Sequence, residues 1–174
     1  MVEEFTKNSF YWSLTNGYLE THEEIKLWDA FAGNHGVRMV LSIEDVNTDL
    51  RQVYYQPVKK IIPLLKNLAD VCHRYGRELH FTALSKVGFF YLSSTFNDEH
   101  ESRFLITRRQ AQSKNLSIQI HDNGYEYLAL PFCSPFATIK LLKIIAGNAS
   151  DIPRIQGILS SYPGYEKVVI YPRP

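Results

Sequence analysis

The run Glu99-His100-Glu101-Ser102-Arg103 places two carboxylates and a guanidinium at every second position. Side chains alternate across a strand, so in extended geometry Glu99, Glu101 and Arg103 project to the same face. Such a face can bind and orient a ribose diol, and one carboxylate can stabilise a positive charge developing beside it. The plainer alternative is an exposed strand edge carrying an ion pair, because charged side chains usually face water. Ser13 and Thr15 flank Leu14 after Tyr11 and Trp12. Hydroxyls there could orient a ligand whose pocket the aromatics line; an ordinary strand entering a turn has the same composition. His35, between Asn34 and Gly36, could do acid–base chemistry because an imidazole titrates near neutrality. It could equally be a turn residue whose ring bonds the backbone. Trp28 and Phe31 stand three apart, on one face of a helix end, either as core or as a ligand platform.

Several familiar chemistries are not written in this chain. Neither Gly-x-x-x-x-Gly-Lys-Ser/Thr nor Gly-x-Gly-x-x-Gly occurs, so nucleotide binding by those two routes is unsupported. His22-Glu23-Glu24 lacks the second histidine of a zinc-protease helix, and His73, His80, His100 and His121 show no ligand spacing. No Gly-x-Ser-x-Gly elbow surrounds Ser13, so a hydrolase nucleophile is not indicated. Cys72 and Cys133 stand alone, which argues for a reducing, cytoplasmic compartment and against a disulfide or zinc site.

The elements that must position these groups follow from punctuation and periodicity. Phe10–Leu14 reads as an aromatic strand ending at the Thr15-Asn16-Gly17 turn. Thr21 and Glu24 fit a capping box that opens a helix running to about Ala32, with Gly33 as its stop. Gly36–Ile43 alternates as a strand, and Arg51–Tyr55 is a shorter one. Pro57 introduces a helix through Cys72, in which Pro63 is tolerable only within the first turn, and Gly76 ends it. Phe81, Leu84 and Val87 repeat every three, which predicts a helical segment over His80–Phe90. Arg103–Thr107 is a strand. Leu116–Ile120 and Tyr125–Leu130 flank His121-Asp122-Asn123-Gly124, the strongest hairpin signal present. Ile139–Ile145 is a buried strand or helix end, Ile152–Tyr162 an amphipathic helix capped by Asp151, and Lys167–Tyr171 a closing strand. Strands outnumber helices and neighbours look antiparallel. The expected fold is therefore α+β: a mostly antiparallel or mixed sheet with three or four helices in a single domain.

With 174 residues, 45% hydrophobic, 21% charged and a formal charge of +1, the composition is that of a globular protein. Near-neutrality argues against a dedicated nucleic-acid binder. A local basic patch of Arg103, Arg108, Arg109 and Lys114 reads first as a solvated face. The N-terminal MVEEFTKNSF is not a signal peptide, and no apolar run approaches the length of a membrane span.

The order of blocks FYWSLTNG, LWDAFAGNHGVRMVLSI, FNDEHESRFLI, LPF, LLKIIAG and KVVIYPRP resembles the bacterial domain-of-unknown-function 2971 family across nearly the whole chain. Ser13, Leu27, Trp28, Phe31, Gly36, Glu99, Glu101, Arg103 and Gly147 occupy the family's positions. Phe31 stands where the family usually has Tyr, and the family's usual N-terminal strand is missing from these residues. A weaker similarity is to ADP-ribosyltransferases of the Arg–Ser–Glu type, through Ser13-Leu14-Thr15 and Glu99-His100-Glu101. It implies NAD as substrate, Glu101 holding the nicotinamide ribose, Glu99 orienting the acceptor and Ser13 supporting the nicotinamide pocket. The first-strand Arg of those enzymes is not identifiable here.

The expectation is an uncharacterised bacterial protein of that family using NAD, catalytic through Glu101 and Glu99. Ser13, Thr15, Trp28, His35 and Arg103 bind the substrate, and no cofactor or metal is otherwise required. The alternatives are a non-catalytic interaction module and a nucleic-acid-associated defence protein. The catalytic reading requires Ser13, Trp28 and Glu101 to converge on one cleft. Oligomeric state is not legible in the sequence.

Overall fold

The computed structural model describes residues 8–17, 21–56, 63–77, 88–93, 95 and 99–173. Its described elements form an α+β fold, with short mixed and antiparallel sheets and helices beside them. Contacts group the chain into two compact units, each assembled from two stretches: Met1–Asn16 with Asp49–Asn115, and Gly17–Thr48 with Leu116–Pro174.

In the first unit, β1 (Ser9–Thr15) and β3 (Asp49–Gln52) flank β6 (Glu101–Thr107) in an antiparallel sheet ordered β1-β6-β3. The Arg103–Thr107 strand is as expected, and it is central because Phe104, Leu105 and Ile106 are buried in succession on alternating faces. Leu105 packs with Phe89 and Phe90 on the face that also carries Glu101 and Arg103. The expected Arg51–Tyr55 strand is divided. Buried Val53 separates β3 from β4 (Tyr54–Gln56), and its N–H donates to the carbonyl of Glu101 at 2.7 Å. β4 pairs in parallel with β5 (Tyr91–Ser93). Helix α2 (Pro63–Arg74) starts on Pro63, the position where a proline costs no intrahelical bond. It ends as expected at Gly76, whose φ of +64° lets the N–H groups of Gly76 and Arg77 reach back to His73 and Cys72. Most of the helix expected over His80–Phe90 lies outside the described residues.

A helix that no sequence expectation contains follows β6 directly. α3 (Arg108–Ser113) is opened by a complete capping box: Thr107 Oγ1 accepts from the Gln110 N–H, and Gln110 Oε1 accepts from the Thr107 N–H. The Thr107-x-x-Gln110 spacing was the available signal.

The second unit is built on a sheet ordered β10-β9-β2. β2 (Val37–Glu44) runs antiparallel to β9 (Thr138–Ala146), and β10 (Val169–Pro172) runs parallel to it. The ambiguous Ile139–Ile145 run is thus strand. A parallel neighbour requires a crossover, supplied by α4 (Ile152–Ser160). Ile155 and Leu159 of α4 bury against Ile144 and Ala146, with Ile152, Tyr165, Val168 and Ile170 around them. Asp151 was expected to cap α4 but makes no capping hydrogen bond. Asn148 caps the short turn before it, accepting from the Ser150 N–H at 3.0 Å. The hairpin forms as expected between β7 (Ile118–Ile120) and β8 (Glu126–Leu128). Gly124 takes a φ of +84° and donates to the His121 carbonyl at 2.8 Å.

Helix α1 (Thr21–Leu27) continues into a wider π turn, Trp28–Ala32, closed by the Gly33 N–H on the Trp28 carbonyl at 2.7 Å. The side chain of Thr21 lies outside the described residues, so the expected capping box does too. The π turn overturns one expectation. Three-apart residues share a face on an α-helix but not on a π turn, and with i→i+5 bonding Trp28 is 4% exposed while Phe31 is 74% exposed.

Candidate functional site

Ser13, Thr15, Glu99, Glu101 and Arg103 belong to the first unit; Trp28 and His35 belong to the second. Register places Ser13 opposite Arg103 and Thr15 opposite Glu101, so these four residues lie on one face of the β1–β6 pair. Both hydroxyl residues are exposed, whereas Glu101 is 3% exposed.

Glu101 is held by Arg103 two residues along the same strand. The guanidinium grips the carboxylate with both forks, Nε to Oε1 at 2.7 Å and Nη2 to Oε2 at 3.0 Å. Nη1 donates to the Phe89 carbonyl at 2.6 Å, and the guanidinium carbon lies 4.9 Å from the Tyr11 ring centroid. Tyr11 in turn packs against Phe89 at 5.7 Å. Alternation on the strand brings the two charges to one face, and the aromatic cover excludes water from them. Both Glu101 oxygens are therefore committed to Arg103. Of the four basic residues Arg103, Arg108, Arg109 and Lys114, Arg103 is paired with Glu101, Arg108 sits over the Phe10 ring at 5.7 Å, and Arg109 and Lys114 are exposed.

Glu99 does not continue the strand face. His100 adopts a φ of +44°, which breaks the alternation just before β6. Glu99 is half-buried, and burial pushes its carboxyl above the usual carboxylate range. The Glu101 charge pushes in the same direction and Arg103 opposes it. Tyr55 stands beside this group: the Glu101 backbone N–H donates to its hydroxyl at 3.1 Å. Burial, helped by the charges of Glu101 and Glu99, raises the Tyr55 phenol. Tyr55 was not singled out from sequence, because nothing in VYYQ distinguishes a phenol turned toward Glu101 from an ordinary strand tyrosine.

His35 is 74% exposed at the side chain and pairs with a carboxylate rather than the backbone, Nδ1 to Asp151 Oδ2 at 3.1 Å. Its loop is fixed by glycines. A Cβ on Gly147 would meet the carbonyl oxygens of Asn34, Gly36 and Gly33 at 3.0, 3.1 and 3.2 Å, and the Gly147 N–H donates to Gly36. The two glycine blocks at Gly36 and Gly147 thus dock on each other. Trp28 offers no open ring face on the side where the Arg173 guanidinium carbon stands 5.3 Å from its centroid.

Among the described residues no group of three His, Cys, Asp or Glu is placed to hold a metal ion, and no helix is long and apolar enough to cross a membrane. Cys72 and Cys133 are free thiols. Comparison with family models, curated proteins and solved structures gives no match.

Proposed function

We propose that this chain is an ADP-ribosyltransferase-like enzyme acting on NAD or a related nucleotide, of the uncharacterised bacterial family that its block order resembles. In this reading the carboxylate that meets substrate is Glu99, and the Glu101–Arg103 pair is the rigid support that presents it. The observation carrying the proposal is the half-buried Glu99 carboxyl, raised by burial and by Glu101, next to a left-handed His100. A carboxyl raised by burial accepts a proton more readily than an ordinary one, and residues in sparsely populated backbone conformations gather at functional positions. The bond from the ribose C1′ to nicotinamide nitrogen breaks, its electron pair leaving with nicotinamide. Glu99 takes the proton of the attacking water or acceptor hydroxyl as the new C1′–O bond forms. Exposed Ser13 and Thr15, across from Arg103 and Glu101, would orient the nucleotide. We place the enzyme in the cytoplasm, where Cys72 and Cys133 stay reduced.

The test is nicotinamide release from NAD by the purified chain, with Glu99→Gln as the comparison. Loss of a general base should lower turnover by about 10²–10⁴-fold. No release by the unmodified chain, or equal release by Glu99→Gln, sinks the proposal.

A further inference from the structure

The second unit carries a buried donor that its fold does not use. Trp28 Nε1 is buried and has no acceptor among the described residues. Such orphans are rare in folded proteins and call for a physical reason, because a desolvated N–H without an acceptor costs free energy. Trp28 opens the π turn, a distortion that often marks functional positions. Over its ring stands Arg173, tethered after β10 by its own N–H on the Ala146 carbonyl at 2.7 Å. The Arg173 side chain is only 23% exposed, and the acid it faces, Asp29, is 3.7 Å away and 70% exposed. A pair at that separation, with one member in water, leaves the guanidinium's fork largely unspent. One indole thus carries an orphan donor in its plane and a half-buried, weakly paired guanidinium over its ring.

We infer that Trp28 Nε1 and Arg173 bind a phosphate-type oxyanion in the second unit, Arg173 by a forked, charge-assisted contact and the indole N–H by a single hydrogen bond. The anion displaces Asp29, whose exposed side chain turns to solvent without loss. Arg suits such a ligand because its planar fork matches the oxygen spacing of phosphate. This site stands independently of the Glu99 reading, since no residue is shared.

The experiment exploits the chain's two tryptophans. In Trp12→Phe, emission reports Trp28 alone, and inorganic pyrophosphate is titrated at constant ionic strength against chloride. The expected result is a saturable change with pyrophosphate and none with chloride. Adding Arg173→Gln should weaken binding about tenfold or more, the usual scale of a charge-assisted contact. Calorimetric titration of Trp28→Phe, which keeps the aromatic packing, should show weaker binding than the unmodified chain. Circular dichroism of each variant establishes that it is folded. The inference is overturned by the absence of a saturable change, by an equal response to chloride, or by unchanged affinity in folded Arg173→Gln.

Discussion

Replacing Arg103 by methionine should be among the most damaging single changes in the first unit. The substitution removes both forks on Glu101, the 2.6 Å bond to the Phe89 carbonyl and the contact with Tyr11. Glu101, 3% exposed, is then an unpaired charge in a desolvated place. Removing one partner of a buried pair typically costs about 3–5 kcal/mol, a large share of the roughly 5–15 kcal/mol that holds a domain folded. Exchanging both members, Glu101→Leu with Arg103→Met, should recover most of that loss, because no charge is left behind. Urea unfolding of the two single variants and the double variant at pH 7 measures this. A cost below about 1 kcal/mol for Arg103→Met at pH 7, or an equal cost in the double variant, would refute a structural role for the pair. Glu101→Gln is for the same reason a poor catalytic probe, since it unbalances the guanidinium before it touches any chemistry.

Two further outcomes follow from groups already described. A Cβ at Gly36 would stand 2.5–2.6 Å from the carbonyl oxygen and Cα of Ala32, so Gly36→Ala should cost at least about 1–3 kcal/mol by thermal unfolding; an unchanged melting temperature would contradict the close approach of Gly36 to Ala32. Because burial and Glu101 raise the Glu99 carboxyl, its protonated form favours folding and that advantage is lost as pH rises through its folded pKa. Glu99→Gln should therefore be more stable than the unmodified chain at pH 7 and no different at pH 3, and the reverse order would show that Glu99 is stabilised as an anion.

The legible parts of this fold were those fixed by local chemistry. Gly76 ends α2, Asn123-Gly124 makes the hairpin, and the RFLIT run makes β6, because each signal acts within a few residues; the expected start at Pro57 lies outside the described residues. The Glu101–Arg103 proximity was legible for the same reason, as period two brings them to one face. Glu99 was drawn onto that face only because nothing in the sequence announces the left-handed backbone of His100. The π turn was equally silent. WDAFA fits an α turn by propensity, and the choice that exposes Phe31 is made by the closure of Gly33 onto Trp28. Long-range partners were beyond reach altogether. His35 meets Asp151 and Arg173 covers Trp28 through pairings set by the sheet, not by any local pattern.

The interleaving of the two units has a consequence for synthesis. β1 finds its neighbour in β6, and β2 finds its neighbour in β9, each roughly a hundred residues further along the chain. At translation rates of about 5–20 residues per second, each early strand waits about 5–20 s before its partner leaves the ribosome. During that interval the aromatic FYW stretch and the VRMVLSI strand carry unpaired edges of the kind that recruit other chains. Slow codons or a cold growth temperature would lengthen the wait, so the nascent chain, rather than the finished protein, is where this fold is most exposed to aggregation.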